Sequence, residues 1–393
     1  MFKFSFSGDD IEEEYITPES EVAEEVRKGD DSLASEAVDE ALKPELFDIS
    51  ELLKDLPSRI SYSLLPIAAL DEDNTSAKVE VALIPRREVF DIKVQIMADE
   101  DVLPNLDAEL DSSNPQIALT PREKFRREEL RVLLSNTEDL RTKLYEGGLK
   151  SWEGATDLTE YIAGNGDIDI GGGVLELGCG SALPSLYLFQ RLLQRRHNSP
   201  PCSDNANVCF ILADYNYSVL RLMTAPNMLL SYYNIVHIDS AESIASTDLD
   251  LEITPELITE FLEFMRRQNI QIKLISGAWS SSGFSTLLGY DNSDSHERLD
   301  YSLVLASETI YSDESTNAFT PLLVDSVSHW QRSPDSPSPR ALVAAKEVYF
   351  GVGGTARQFL QLVEELGASA STAKRIKGRK SGVTRVIMEI AYV

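Results

Sequence analysis

Residues 174–185 read VLELGCGSALPS, and this stretch decides the fold. The apolar run before Gly178 predicts a buried strand, and the residues from Leu183 onward predict a helix. Gly178 and Gly180 predict a tight turn between them, because glycine lets the backbone come close to a ligand. A strand, a glycine turn and a helix in this order favour a ligand-binding α/β sheet. An ordinary turn between a strand and a helix is the alternative.

Two residues of this stretch argue against a dinucleotide as the ligand. A dinucleotide fingerprint has Gly or Ala at its third small position, which is Leu183 here. Glu176 lies two residues before the first glycine, and a carboxylate beside the cavity would repel a pyrophosphate. A cationic or zwitterionic ligand therefore fits this stretch better.

The sequence around this stretch alternates short apolar runs with helical patterns. The expected strands are residues 173–177, 208–213, 270–275, 301–306, 341–345 and 383–390. The expected helices are residues 125–144, 183–195, 219–233, 254–267, 318–331 and 355–365. Strands that alternate with helices predict a doubly wound, parallel sheet. We therefore expect one α/β domain over residues 123–393, with helices on both faces of the sheet.

The negative charge is concentrated in the first third of the chain. The 393 residues carry a net charge of -29, and residues 1–120 hold 30 acidic and 10 basic residues. This composition predicts an acidic and largely disordered arm over residues 1–122. Residues 84–97 are richer in apolar side chains, which favours a segment that docks on the later domain. A short linear motif for a partner is the alternative for that segment.

Composition also excludes several classes of protein. Phosphate contacts need Lys and Arg, so direct DNA binding is not expected of so acidic a chain, and a basic protein partner suits it better. No run reaches the roughly 18–20 apolar residues of a membrane span, and no signal-peptide pattern is present. The cysteines and histidines lack metal-ligand spacing, so no metal site is expected.

Two residues near the ends of later strands point to a nucleoside. Asp214 ends the second expected strand, where a carboxylate accepts hydrogen bonds from ribose hydroxyls, although such a residue is often a helix cap. Its place after the glycine turn favours the ribose role. Trp279 follows the third expected strand after a turn of small residues, and it suits an adenine platform and a core position equally well.

The fourth expected strand delivers Ser307, Glu308 and Tyr311 to its carboxyl end. In open α/β sheets that edge is where ligands bind. Together with the glycine turn, Asp214 and Trp279, this order of elements resembles the seven-β-strand class of S-adenosylmethionine-dependent methyltransferases. The Asn/Asp-Pro-Pro-Tyr signature for methylation of base or glutamine amines is absent, whereas Glu308-x-x-Tyr311 is similar to the Asp-x-x-Tyr feature of members that methylate proteins.

Longer stretches resemble the eukaryotic protein-histidine methyltransferase family, and specifically its fungal branch. They are LYEGGLKSWE at 144–153, SETIY at 307–311 and KEVYFGVGG at 346–354, with shorter similarities in FKFSFSG at 2–8 and REVFDIK at 87–93. The resemblance covers residues 139–393 firmly and the arm in patches. The chain departs from the pattern of the wider class at Ala182, where many members carry glycine.

The resemblance implies a Rossmann-like sheet and S-adenosyl-L-methionine as the cofactor. Trp152 and Glu153 are expected over the cofactor and the two glycines under its methionine part, with Tyr215 and Asn216 beside the ribose. Around the adenine and the closing side of the site, the expected residues are Gly277, Ala278, Trp279 and Ser307. With Glu176 and Asp214, these residues make up the expected cofactor site.

The resemblance further implies one substrate, a histidine of a large-subunit ribosomal protein (the L-three protein), methylated on the ring nitrogen far from the backbone. A monomer of the cytoplasm and nucleus, with indirect contact to pre-ribosomes, is expected. Neutral imidazole has a free lone pair at cell pH. We expect Glu308 to hold the other ring N–H, with Tyr311 as its packing or hydrogen-bonding partner; Glu308 could instead only order its loop.

Two other functions remain open at this point. One is a related methyltransferase that acts on protein lysine or on a small-molecule amine. The other is a non-catalytic chaperone that binds a ribosomal protein through the acidic arm.

Overall fold

The computed structural model describes residues 42–69, 81–98, 120–135, 141, 143–166, 168, 170–197, 206–238, 249–279, 282–289, 301–328, 339–377 and 383–392. The first 41 residues of the expected arm lie outside the described residues. So do residues 198–205, a polar stretch before the second expected strand.

Eleven strands and eleven α-helices are described. The strands are β1 (Glu45–Asp48), β2 (Arg59–Ala68), β3 (Val81–Arg87), β4 (Gly173–Leu177), β5 (Val208–Asp214), β6 (Leu249–Glu252), β7 (Ile270–Ser276), β8 (Leu303–Ser307), β9 (Arg340–Lys346), β10 (Ser369–Lys377) and β11 (Thr384–Ala391). The helices are α1 (Ile49–Leu52), α2 (Val89–Ala98), α3 (Pro121–Ser135), α4 (Glu153–Gly164), α5 (Leu183–His197), α6 (Tyr217–Val219), α7 (Ala225–Val236), α8 (Pro255–Arg267), α9 (Ser282–Leu287), α10 (Asp313–Ser328) and α11 (Ala356–Glu365). A π-helical turn, Leu220–Thr224, joins α6 to α7.

The main sheet confirms the predicted α/β fold. Its strand order is β1-β7-β5-β4-β8-β9-β11-β10, and the five strands from β7 to β9 are parallel. The chain winds from β4 outward on one side and then returns to β8 on the other. Their carboxyl ends therefore form a crevice at this switch point, where ligands bind in open α/β sheets. All six expected strands are present, each with bounds within two residues of the prediction.

The expected count of seven strands is wrong for the main sheet, which has eight. The extra strand, β1, pairs antiparallel with β7 and comes from the segment that we predicted to be disordered. A second sheet, in the order β3-β2-β6, uses two more strands of that segment. The prediction of disorder is thus wrong for residues 42–69, whereas residues 84–97, which we expected to dock, lie in β3 and α2.

The short apolar clusters of the N-terminal segment are stable because the rest of the chain covers them. Ile60, Ile67 and Ile84 of the second sheet are fully buried in the same core as the helices that flank the main sheet. Ile92 and Ile96 of α2 pack in another cluster with Leu133 of α3. Residues 84–97 therefore lie in β3 and α2, docked on the later domain.

The expected helix over residues 125–144 is shorter than predicted, because α3 ends at Ser135. Farther on, Lys143 has a left-handed backbone (φ 67°), and Arg141 pairs with Tyr145 in a turn. These two features are incompatible with a helix that continues to residue 144.

Arg87 fixes the second sheet to the main body. Its guanidinium is fully buried, pairs with Asp91, and donates from Nη1 to the Leu222 carbonyl at 3.0 Å. Its backbone N–H donates to Asn227 Oδ1 at 2.8 Å, and Asn227 Nδ2 donates to the Ser181 carbonyl at 3.0 Å. The N-terminal segment is thereby linked to the glycine turn that follows β4.

We expect Arg87→Met to lower the free energy of unfolding by about 3 kcal/mol, because it leaves a largely buried carboxylate and a buried carbonyl without their partner. Arg59→Met is the matched control, since the Arg59–Asp250 ion pair of the same sheet is solvent-exposed and contributes little. Urea unfolding of both variants measures the difference. Equal free energies of unfolding for the two variants would contradict this role of Arg87.

Candidate active site

A cavity of about 550 Å³ lies at the carboxyl ends of the central strands. The predicted site residues that border it are Trp152, Gly178, Asp214, Tyr215, Ala278, Trp279, Ser307, Glu308 and Tyr311. Residues that the sequence analysis did not assign to the site also border it: Leu42, Lys143, Glu146, Gly147, Gly148, Thr309, Ser312, Glu314, Ser315, Ala318, Lys346, Tyr349 and Val352.

The turn after β4 requires its glycines. Gly178 and Gly180 have φ values of 69° and 51°, in the left-handed region. A Cβ on Gly178 would lie 2.7 Å from Thr309 Cγ2, and a Cβ on Gly180 would lie 2.9 Å from the Gly148 carbonyl oxygen. Ala182 is also left-handed (φ 59°), which explains why glycine suits that position in other members of the class.

Asp214 holds the glycine turn and borders the cavity. Its Oδ2 accepts a hydrogen bond from the Gly180 N–H at 2.9 Å, and its Oδ1 accepts one from the Asn216 N–H at 3.0 Å. Burial raises the pKa of Asp214 to about 6, so the carboxylate is mostly ionised at neutral pH. Each oxygen keeps a second lone pair, which leaves acceptors for the hydroxyls of a ligand.

Asn216 lies outside the cavity lining, and it holds the LYEGG segment in place. Its Oδ1 accepts from the Glu146 N–H at 3.0 Å, and its Nδ2 donates to the Leu144 carbonyl at 2.8 Å. Tyr215 does border the cavity and donates its hydroxyl to the Lys143 carbonyl at 3.0 Å. The chain after β5 thus anchors one wall of the cavity.

Glu176 does not stand beside the cavity, which corrects its predicted role as a carboxylate facing the ligand. It is buried behind the turn, where Oε2 accepts a hydrogen bond from the Ser185 N–H at 3.1 Å in the first turn of α5. Burial raises its pKa to about 8, so it is mostly protonated at neutral pH. Its geometry is that of a helix cap rather than a ligand contact.

Ala278 and Trp279 form the side of the cavity where we expected the adenine. The indole ring of Trp279 packs on Phe319, with 5.3 Å between the ring centroids. The N-terminal segment closes this side. The Ala278 N–H donates to the Leu42 carbonyl at 3.0 Å, and Leu42 itself borders the cavity. Gly277 lies outside the lining, because its α-carbon faces the backbone of Leu42 and Pro44 in the N-terminal segment.

Glu308 occupies a strained position at the edge of the cavity. Its backbone is left-handed (φ 56°), which costs about 1–3 kcal/mol for a residue with a side chain. Its Oε1 accepts from the Gly154 N–H at 3.1 Å, at the start of α4, and its Oε2 accepts from the Tyr349 hydroxyl. Burial raises the pKa of Glu308, although Tyr349 and Lys346 oppose the rise.

Tyr311 is not the hydrogen-bonding partner of Glu308, contrary to one of the two expectations for it. Its hydroxyl donates to Glu146, whose other carboxylate oxygen accepts from the Lys143 N–H at 2.7 Å. Burial raises the pKa of both Glu146 and Tyr311. Tyr349 occupies the place next to Glu308 that we expected Tyr311 to take.

Trp152 forms another part of the wall. Its Nε1 donates to the Gly147 carbonyl at 3.2 Å, and the ammonium groups of Lys150 and Lys346 lie 4.7 and 5.8 Å from its ring centroid. Glu153, the first residue of α4, is exposed and lies outside the lining. Of the expected pair over the cofactor, the structure brings only the tryptophan to the cavity.

Two buried polar atoms beside the cavity have no hydrogen-bond partner among the described residues. They are Thr309 Oγ1 and Trp279 Nε1. Unpartnered buried polar groups are costly, and both residues border the cavity. S-adenosylmethionine has a polar adenine, ribose and amino-acid part, and these groups would supply hydrogen-bond partners to both atoms. The residues present therefore fit this cofactor.

Neither a metal site nor a membrane span is found in the part of the chain that the structure describes. No group of three or more His, Cys, Asp or Glu residues there could hold a metal ion. None of the described helices has the length and apolarity needed to cross a membrane.

The fold and the cavity define a Rossmann-like methyltransferase. The chain is 31% identical to Histidine protein methyltransferase 1 of Saccharomyces cerevisiae, over 91% of this chain and 89% of the relative. It is also 31% identical to the protein of that name from Schizosaccharomyces pombe, over 92% and 87%. The mouse homologue is 27% identical, over 83% and 80%. The chain therefore belongs to the histidine protein methyltransferase family, and it is an S-adenosylmethionine-dependent enzyme.

The other two comparisons are less specific. No protein-family model matches the chain. Among solved structures, a glycopeptide N-methyltransferase complexed with S-adenosyl-L-homocysteine aligns with a TM-score of 0.32 at 10% identity, covering 61% of this chain and 87% of that one. A putative class I S-adenosylmethionine-dependent methyltransferase from Listeria monocytogenes has a TM-score of 0.33 at 10% identity, covering 69% and 68%.

Proposed function

We propose that this enzyme methylates the distal (tele) ring nitrogen of one histidine in a large-subunit ribosomal protein, the L-three protein, and thereby affects ribosome biogenesis and translation. The observation that carries the histidine part is the Glu308 carboxylate, which is held between Gly154 and Tyr349 at the edge of the cofactor cavity. The similarity to named histidine protein methyltransferases over about nine-tenths of the chain also supports a protein histidine as the methylated residue.

The residues of the cavity have two tasks in this reaction. When bound, S-adenosylmethionine would supply an electrophilic methyl group on a positively charged sulfur, and S-adenosyl-L-homocysteine would leave as the sulfur–methyl bond breaks. Asp214, the glycine turn and Trp279 hold the cofactor, and Trp152 covers it. Glu308 accepts a hydrogen bond from the ring N–H nearer the backbone, which leaves the distal nitrogen with its lone pair and stabilises the positive charge that develops on the imidazole.

The pH profile separates histidine from lysine as the target. A histidine with a pKa of about 6.5 is deprotonated well below pH 8, whereas lysine, with a pKa of about 10.4, is not. We expect kcat/KM to rise through pH 6–7 and to be constant from about pH 7.5 to 9. Asp214 and Glu308 also lower kcat/KM as the pH falls, because protonation below their raised pKa values removes their negative charge. Activity that keeps increasing up to pH 9 would point to lysine.

The substrate itself is tested with purified components. Recombinant L-three protein is incubated with the enzyme and S-adenosylmethionine, and its peptides are analysed by mass spectrometry. We expect a single histidine to gain one methyl group, and amino-acid analysis to identify it as the tele isomer. A variant of the ribosomal protein with that histidine replaced by Gln is the control. Methylation of another residue type, or none, would reject the proposal.

The proposed partner and location follow from the proposed substrate. The chain carries a net charge of -29, and a basic ribosomal protein complements it. We place the monomeric enzyme in the cytoplasm and the nucleus, where it meets the ribosomal protein before assembly and contacts pre-ribosomes only through that protein.

A further inference from the structure

Three exposed apolar residues follow β9 in an alternating pattern. Val348, Phe350 and Val352 have 39%, 83% and 52% of their surface exposed, and we call them the apolar ridge. The residue between the first two, Tyr349, points inward and is buried. The loop therefore presents one apolar side to solvent and contributes a tyrosine to the cavity on the other.

The loop that carries the ridge is fixed to the rest of the site. The Tyr349 N–H donates to the Gly354 carbonyl at 2.9 Å, and the Gly354 N–H donates to the Tyr311 carbonyl at 3.2 Å. Gly353 also pairs with Ser312. Inside the cavity, the Tyr349 hydroxyl donates to Glu308. A large apolar side chain on so well-anchored a loop loses little conformational freedom when it binds a partner.

One residue of the ridge, Val352, stands at the mouth of the cavity. Three of the residues that border the cavity are exposed, namely Val352, Lys143 and Glu314, and the last two form an ion pair at 3.0 Å. Val352 is the only apolar residue of these three, so a protein segment that enters the cavity on this side contacts Val352. Phe350 lies two residues away and is the most exposed of the large apolar side chains described.

We propose that the apolar ridge is the docking surface for the protein substrate, and that it takes an apolar side chain next to the target histidine. The proposal rests on the proposed function, because only a protein substrate extends beyond the mouth. The carboxylates of Asp313 and Glu314 begin α10 beside the same loop, with Asp313 3.4 Å from an added Cβ on Gly353. A basic segment around that apolar side chain would therefore be complementary in charge.

The test compares Phe350→Ala with Phe90→Ala. Phe90 on α2 is similarly exposed (77%), but no residue of α2 borders the cavity, whereas Val352, two residues from Phe350, does; Phe90 is therefore the matched control. We expect Phe350→Ala to raise the KM for the L-three protein about tenfold, as for an interface anchor, with little change in kcat. Its affinity for S-adenosyl-L-homocysteine, measured by calorimetry, should stay at the wild-type value, which also shows that the variant is folded.

The outcomes distinguish this proposal from the proposed function. If the wild-type enzyme binds S-adenosyl-L-homocysteine but does not methylate the ribosomal protein, the proposed function is wrong and the ridge proposal fails with it. If the wild type is active and Phe350→Ala keeps the wild-type KM, only the ridge proposal is overturned. An equal rise in KM for Phe90→Ala would also overturn it.

Discussion

Asp214→Ala is expected to weaken the binding of S-adenosyl-L-homocysteine about a hundredfold and to abolish detectable methylation. The carboxylate of Asp214 accepts two backbone hydrogen bonds, from Gly180 and Asn216, while it borders the cavity. Its loss leaves two buried N–H groups unpaired, at a cost of about 1–3 kcal/mol each, and removes the acceptor proposed for the ribose hydroxyls. Isothermal titration calorimetry measures the change in affinity.

The control for this prediction is Asp250→Ala, because Asp250 is an exposed aspartate of the second sheet that pairs with Arg59. It should bind S-adenosyl-L-homocysteine like the wild type. Affinity of the wild type should also decrease as the pH falls below about 6, where Asp214 becomes protonated, and Asp214→Ala should lack this dependence. A folded Asp214→Ala variant with wild-type affinity would show that the cofactor lies elsewhere.

Glu308→Gln is expected to lower kcat about a hundredfold and to leave the affinity for S-adenosyl-L-homocysteine within a few fold of the wild type. The carboxylate accepts from two donors, the Gly154 N–H and the Tyr349 hydroxyl. A Gln side chain keeps the shape, but its NH2 group would face one of these donors. It also carries no charge to stabilise the methylated imidazolium, and the loss of one such group costs about 10²–10³ in rate.

Tyr349→Phe tests the positioning of Glu308 separately. The variant removes one donor to the carboxylate without changing its charge, so we expect a smaller decrease in kcat, of about tenfold, with little change in KM. Glu263→Gln, on the exposed face of α8 and outside the cavity lining, is the control for loss of a carboxylate and should keep kcat. If Glu308→Gln reduced cofactor affinity as much as kcat, Glu308 would only order the start of α4. An unchanged kcat in Glu308→Gln would exclude both the role of Glu308 in the reaction and its role in ordering α4.

The central sheet could be predicted because its strands are continuous apolar runs with clear ends. β4, for example, is buried along its whole length and ends at Leu177, directly before Gly178. The N-terminal strands were missed because the acidic composition of residues 1–120 as a whole outweighed the short apolar runs of β2 and β3. Ile60 and Ile84 are buried only because helices of the later domain cover them. That packing is a tertiary property, which the composition of the segment does not reveal.

The site was predictable where a functional residue follows a strand. Asp214, Trp279 and Glu308 were found in this way, and all three border the cavity. Leu42 was missed because it reaches the cavity only through the docking of the N-terminal segment. Thr309 was missed because a threonine beside a glutamate has no distinctive pattern, and its significance appears only from its burial without a hydrogen-bond partner.

The most direct test of the account is mass spectrometry of ribosomal proteins from cells with and without this enzyme. We predict that a single histidine of the L-three protein is methylated only in cells that have the enzyme. Expression of the wild type should restore the methyl group, and expression of Asp214→Ala should not. If no histidine changes between the two cell lines, or if a lysine changes instead, the proposed activity is wrong.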